Sequence, residues 1–332
     1  MKQYIAFFCA CFFMQSILAQ QLVPLESIGN ISLRGLSVVS DSIVWASGSK
    51  GTVVRSLDGG KSWKRMAVKG FEQRDFRDIE AMNAETAIII AVDTPAIILK
   101  TDNGGKDWKV VYQNNTPGMF LDALAFWNEK SGIVIGDPID GKIFIARSVD
   151  GGNNWREVPN RFAPQAEAGE ALFAASGSNI TQLNEQEAVF VTGGKTSRLF
   201  IRDRKIDLPL LQGQTTTGAN AIAAWNENNM VIVGGDFSKD SLREGNCVII
   251  RNKGKKMITP TVPPFGYRSS VTYVNSTRLI TCGTSGVDVS EDGGMRWRNI
   301  SPTGYHVVKK AKKGNAVFLA GGGGRIAKLY WP

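Results

Sequence analysis

The chain has 332 residues, 43% hydrophobic and 21% charged, a globular rather than a disordered balance. Its single histidine, His306, excludes a three-histidine metal site and an HExxH metallohydrolase. Any Ser-His-Asp triad would have to use that one imidazole. The formal charge of +9 favours acidic partners and says nothing about fold.

Residues 1–19 read MKQYIAFFCACFFMQSILA, with Lys2 as a positive start and a small residue, Ala19, at the end. The apolar run from Tyr4 to Met14 is too short for the roughly 20 helical residues that cross a bilayer. The pattern is that of a secretory signal peptide cleaved after Ala19. The mature protein is expected to be exported: periplasmic, cell-surface or secreted, with no later segment able to span a membrane. Cys247 and Cys282 would then remain, either as a disulfide or as two separate buried thiols.

A repeat organises the rest. It appears as Ser56-Leu-Asp58-Gly-Gly60-Lys-Ser-Trp63 and as Thr101-Asp-Asn103-Gly-Gly105-Lys-Asp-Trp108. It returns as Ser148-Val-Asp150-Gly-Gly152-Asn-Asn-Trp155 and as Ser290-Glu-Asp292-Gly-Gly294-Met-Arg-Trp297. The Asp or Asn caps its own turn, Gly takes a positive φ, Ser or Thr bonds across the turn, and Trp folds back on it. The tryptophans are 45, 47 and 142 residues apart, and the last interval holds three periods. Two degenerate units fill it, Glu187–Arg202 and Asn229–Arg251, and a final unit spans Asn315–Leu329. Seven units of four short strands predict an all-β fold, one seven-bladed propeller over residues 20–332, with six blades as the alternative. Residues 22–28 are expected to supply the missing outer strand of the last blade and close the ring.

These turns resemble the Asp-box, the bacterial neuraminidase repeat. The string Ile43-Val-Trp-Ala-Ser-Gly-Ser-Lys-Gly-Thr-Val-Val-Arg-Ser-Leu-Asp-Gly-Gly-Lys-Ser-Trp63 is similar to the photosystem II stability/assembly factor propellers and their exported bacterial relatives, some labelled oxidoreductase. The resemblance covers residues 30–330. It implies the fold far more than a function, because unrelated propellers share the repeat. It implies that Asp-boxes are structural turns on the outside of blades. Redox chemistry finds no support in the residues: Gly321–Gly324 leaves no room for a dinucleotide-binding helix, and no CxxC or CxxCH occurs. No cofactor and no metal site is expected.

Inner strands line a propeller channel, and their starts carry Arg34, Arg77, Asp78, Asp122, Tyr267, Arg268, Ser269 and His306. Asp137, Asp236 and Ser285 follow the second strands, and Glu170 lies between the third and fourth blades. Arg34, Arg77, Asp78, Asp122, Arg268, Ser285 and His306 are candidate ligand-binding residues. Arg77 could instead be an ion-pair partner of Asp78 or Asp122. Asp137, Glu170, Tyr267 and Asp236 are the candidates if the chain is a sialidase-like glycan hydrolase, with arginines clamping a substrate carboxylate. Against that, Leu33-Arg34-Gly35 lacks the Phe/Tyr-Arg-Ile-Pro motif of sialidases. The basic runs Arg251–Lys256 and Lys309–Lys313 read as solvated hairpin turns. The leading expectation is a monomeric binding or assembly scaffold for a protein or an acidic envelope glycan, not for nucleic acid.

Overall fold

The computed structural model describes residues 20–331; the expected signal peptide lies outside them. The chain is a seven-bladed β-propeller of four-stranded antiparallel blades around a central channel, the fifth blade's sheet being extended at its inner edge by the two-residue strands Glu170–Ala171 and Gly193–Gly194. The first blade runs Leu33–Val38, Val44–Gly48, Thr52–Ser56 and Lys64–Ala67 from the channel outward. The inner strands of the next five blades are Phe76–Ala81, Leu121–Phe126, Ile180–Asn184, Thr217–Asn226 and Ser270–Tyr273. The seventh blade combines Val307–Lys310, Val317–Ala320 and Ile326–Tyr330 with the N-terminal strand Gln21–Pro24. Leu22 stands opposite Leu329, and the pairing continues as Leu25 N–H donates to Ile326 O. Among the described residues no helix is long and apolar enough to cross a membrane.

Strand alternation explains the apolar runs. In Ala87–Ala91 (AIIIA) every residue is buried. Ile89 enters the cluster shared with the first blade, whereas Ile88 and Ile90 enter the cluster shared with the third. The buried apolar side chains thus form seven clusters, one between each neighbouring pair of blades.

The Asp-box turns have the expected internal bonds. Ser56 Oγ donates to Asp58 Oδ1 at 2.9 Å and accepts from Gly60 N–H at 2.9 Å, while Ser62 N–H reaches Asp58 Oδ1 at 2.9 Å. Thr101 with Asn103, Ser148 with Asp150 and Ser290 with Asp292 repeat this at 2.9–3.0 Å. The indole N–H of Trp63, Trp155 and Trp297 bonds the carbonyl of the second glycine, at 3.2, 3.2 and 2.9 Å; that of Trp108 has no acceptor among the described residues. The second glycine also faces the preceding blade. Gly105 sits where a Cβ would fall 2.9 Å from Met66 Sδ, at a φ of 78°. Gly60, Gly152 and Gly294 likewise abut Phe318, Ile88 and Val231. A larger residue there would both strain the turn and push two blades apart.

Cys247 and Cys282 are separate buried thiols. Arg251–Lys256 is the expected hairpin turn, built on a 3-10 turn at Asn252–Gly254. The second basic run differs from its expected form: Lys309 and Lys310 belong to the inner strand of the seventh blade, and only the residues after them turn. Gly322–Gly324 is a tight turn between the last two strands.

A chain lacking residues 20–28 would expose the edge of Ile326–Tyr330. It should melt at lower temperature than the chain from residue 20 and associate in sedimentation, because an open strand edge templates pairing. An unchanged melt would show that the N-terminal strand does not hold the ring.

Candidate functional site

The channel is not open. The segment 172–179, Leu-Phe-Ala-Ala-Ser-Gly-Ser-Asn, crosses it between the third and fourth blades' own strands. Its bonds reach almost all the way round. Leu172 N–H donates to Asp137 Oδ1 at 2.9 Å, and Arg34 Nη1 donates to Ala175 O at 3.2 Å. Ser176 Oγ donates to Ser269 O at 2.6 Å, Ser178 Oγ meets Ser270 Oγ at 2.9 Å, and Ile222 N–H donates to Ser178 O at 2.8 Å. Gly177, at a φ of 61°, lies directly against the Asp78 carboxyl, where no Cβ would fit. Small residues make this plug thin enough to thread the axis.

The plug separates two mouths. At the ends of the inner strands lies a cavity of about 160 Å³ lined by Leu36, Leu124, Gly177, Ile180, Lys309 and Lys312. Lys312 there is paired with Glu80. At their starts lies a larger cavity of about 430 Å³. Arg34, Arg77 and His306 line it together with Phe120, Phe173, Phe237 and Tyr267, with Asp137 also in the wall, and the Arg77 guanidinium lies over the Phe120 ring at 6.0 Å.

The larger mouth is positively charged. Burial and the neighbouring Arg77 hold the Arg34 pKa below its usual value. His306 is pushed down to about 3, first by burial and then by Arg34, Arg325 and Arg77, so its imidazole is neutral at pH 7. Arg77 bonds Asp75 Oδ2 through Nε and Nη2, both at 3.3 Å, which replaces the expected partners Asp78 and Asp122. Burial pushes the Asp137 pKa up, offset by the Leu172 amide, so this carboxyl gives up its proton reluctantly.

Other candidates are held inside the protein. Arg268 and Asp288 are both fully buried, with Arg268 Nε 2.6 Å from Asp288 Oδ2; Ser285 Oγ accepts from Arg268 Nη1 at 2.8 Å. Glu170 is clamped by Arg198 and Thr192, with Arg198 Nε 3.0 Å from Oε1. Asp236 holds Ser238 through its amide at 2.9 Å and its hydroxyl at 2.7 Å. Burial works against Asp236, yet these bonds outweigh it and keep its pKa below the usual value. Asp122 is fully buried, and among the described residues neither oxygen has a partner in good hydrogen-bond geometry; burial and then Asp137 raise its pKa strongly, against the Arg77 charge and the nearby amides of Asp137 and Ala174. Asp78 accepts from Ile79 N–H at 2.9 Å and from Leu124 N–H on the next blade at 2.8 Å. Tyr267 donates its hydroxyl to Asn220 Oδ1 at 2.8 Å.

Of the sequence-derived candidates, then, Arg34, Arg77, Asp137, Tyr267 and His306 converge on one cavity. Asp78, Asp122, Glu170, Asp236 and Arg268 are buried and Ser285 is bonded to Arg268 and Asp240, so none of these lines that cavity. Phe173, Phe237 and Asn220 were not singled out from sequence, since a ring in a loop carries no pattern of its own. Among the described residues no group of three or more His, Cys, Asp or Glu could hold a metal ion.

Fold and site define the class: an Asp-box propeller with a plugged channel and one basic, partly aromatic mouth. The chain is similar to the photosystem II assembly factor-like propellers, as its turns imply. Residues 21–160 match the family model described as photosynthesis system II assembly factor YCF48. Among solved structures, YCF48 bound to a D1 peptide is 14% identical, with a TM-score of 0.64 over 94% of this chain and 95% of that chain. YCF48 from Cyanidioschyzon merolae is 15% identical, with a TM-score of 0.65 over 94% of this chain and 99% of that chain. The GH74 xyloglucanase from Xanthomonas campestris is 13% identical, with a TM-score of 0.61 over 93% of this chain and 53% of that chain. At these identities the likeness is one of fold. No curated protein matches the sequence.

Two outcomes follow from the buried carboxyls. Glu170→Gln removes the charge facing a buried arginine and should cost about 3 kcal/mol in urea unfolding, as broken buried pairs do; a neutral result would show that the pair is not structural. Asp78 behaves differently. Burial raises its pKa from 3.8 to about 8, against Lys309 and the two amides. The folded state therefore retains a proton that the unfolded state loses. The stability this proton contributes is complete below the unfolded value of 3.8 and is lost as pH rises through about 8. Asp78→Asn forfeits one amide bond but no longer titrates. It should be less stable than wild type at pH 5, and the gap should narrow or reverse by pH 9; a gap independent of pH would mean that Asp78 is ionised throughout.

Proposed function

We propose that the protein is an exported, non-catalytic scaffold that binds a protein or envelope component through the basic mouth of its channel. The observation that carries this reading is the concentration of Arg34 and Arg77 around one blind cavity, in whose wall burial raises the pKa of the carboxyl of Asp137. Like charges held together in a concave, partly dry surface raise the free energy of the empty site, and an anionic partner relieves it. A structural relative has been solved with a peptide bound, which is the kind of partner a rigid propeller rim can hold. Export rests on the N-terminal pattern alone.

The glycan-hydrolase alternative receives less support. Cleavage by two carboxyls needs them roughly 5–9.5 Å apart across the substrate. Asp137 reaches the cavity, but Glu170 is bound to Arg198, Asp122 is sealed, and Asp236 holds Ser238. The arginines suit an acidic glycan as well as an acidic protein segment, and the partner's identity is what the experiment reads.

The test is affinity capture from an envelope extract with the mature chain and its Arg34→Glu and Arg77→Glu variants, using Arg296→Glu as the control on an Asp-box. Capture should fall at least about tenfold for the mouth variants, in keeping with charge pairs at desolvated interfaces, and should persist in the control. Equal capture by all forms would remove the mouth as the binding face. Intact-mass analysis of the envelope fraction should find Gln20 as the first residue; a cytoplasmic chain beginning at Met1 would refute export.

A further inference from the structure

The mouth has features that charge alone does not require. It is blind, because residues 172–175 form part of its lining and the rest of the plug closes the axis beneath it. A blind cavity holds the end of something, not a chain passing through. Its size of about 430 Å³ falls in the usual range for small ligands or terminal groups.

The cavity is also polarised. Arg34, Arg77 and His306 come from the first, second and seventh blades, which are neighbours in the ring. Arg34 makes one hydrogen bond within the described residues, to Ala175 O, and Arg77 uses Nε and Nη2 on a single oxygen of Asp75. Arg34 Nη2 and Arg77 Nη1 thus retain donors for a ligand, and a guanidinium edge matches a planar carboxylate. The other wall is a run of rings. Phe173 meets Phe237 edge-to-face at 5.7 Å, and Phe237 meets Tyr267 at 6.2 Å and 75°. Phe237 is 46% exposed despite standing at the cavity. The hydroxyl of Tyr267 is already used by Asn220, so this residue offers the cavity a ring and not a hydrogen bond. An exposed ring in such an array is completed by a further ring or apolar group from a ligand.

We infer that the mouth is a receptor for a carboxylate attached to an aromatic body, with the carboxylate on Arg34 and Arg77 and the ring against Phe173, Phe237 and Tyr267. A free aryl-alkanoic acid and the last residue of a polypeptide share this chemistry. The inference rests on the mouth being the binding face and names what that face reads. Asp137 also lines the cavity, and burial raises its pKa, which lessens its opposition to an anion.

Calorimetric titration of the mature chain tests it with four probes: 3-phenylpropanoate, N-acetyl-Gly-Gly-Phe, the C-terminal amide of that tripeptide, and inorganic phosphate. At least one of the two aromatic carboxylates should bind one to one. The amide and phosphate should bind at least about tenfold more weakly, since each lacks half of the recognised chemistry. Arg34→Gln and Phe237→Ala should each weaken the carboxylate at least about fivefold, and circular dichroism of both variants should match the parent. Phenylpropanoate alone binding supports a free acid; tighter binding of the tripeptide supports a chain end. Equal binding of the amide, equal binding of phosphate, or indifference to Phe237→Ala overturns the inference. If none of the probes binds while envelope capture still depends on Arg34 and Arg77, the inference fails and the scaffold reading stands.

Discussion

Everything in this molecule depends on the contact between one blade and the next. A four-stranded sheet of these sequences is apolar on both faces, so a lone blade cannot be soluble. Packing seven of them face to face buries each surface in turn, and the ring leaves none over. The Asp-box serves this contact. Its Ser–Asp bonds fix the turn, its tryptophan packs at the seam, and its second glycine lets the preceding blade approach. Where the box is missing, other packing takes over: at the seam of the third and fourth blades Phe190 and Phe200 stack at 4.6 Å and 6°.

Burial of charge follows from the same geometry. Inner strands begin at one mouth and end at the other, so polar groups on them either face a mouth or are trapped between. Arg268 and Glu170 are trapped and bring their own counter-ions, Asp288 and Arg198. Asp122 has none within hydrogen-bonding geometry, and Asp78 has only two amides and a more distant Lys309; both are driven toward the neutral form. Arg34 and Arg77 are only partly buried and face the mouth above the plug.

The fold was legible because the repeat states its own mechanics. Ser56, Asp58, Gly60 and Trp63 announce a turn, and their recurrence counts blades. The blades without a box were legible from runs such as Val189–Val191 and Ile249–Ile250 placed one period on. The site was half legible. Arg34, Arg77 and His306 could be placed because an inner-strand start in a propeller points at the channel. The ion pairs could not be read: Arg268 and Asp288 lie 20 positions apart on strands whose register no local pattern reveals. The plug was hidden for another reason. Phe173-Ala-Ala-Ser-Gly-Ser178 has the composition of an ordinary loop, and only the three-dimensional ring shows that small residues are what the axis can admit.

The latch between Gln21–Pro24 and Ile326–Tyr330 has a temporal meaning as well as a spatial one. Of the described strands, Gln21–Pro24 is made before the blades and must wait for Ile326–Tyr330. Until that strand emerges, the growing polypeptide can stack blades in sequence, yet it stays an open arc with two raw faces. Most strand pairings in the fold are local hairpins and form quickly, while this long-range one, with the nearby bridge of Ser40 to Lys313, carries the high contact order and its entropy cost. Closure of the ring thus waits until Ile326–Tyr330 has been made, and a chain interrupted before it is marked by the sticky edge it cannot cover.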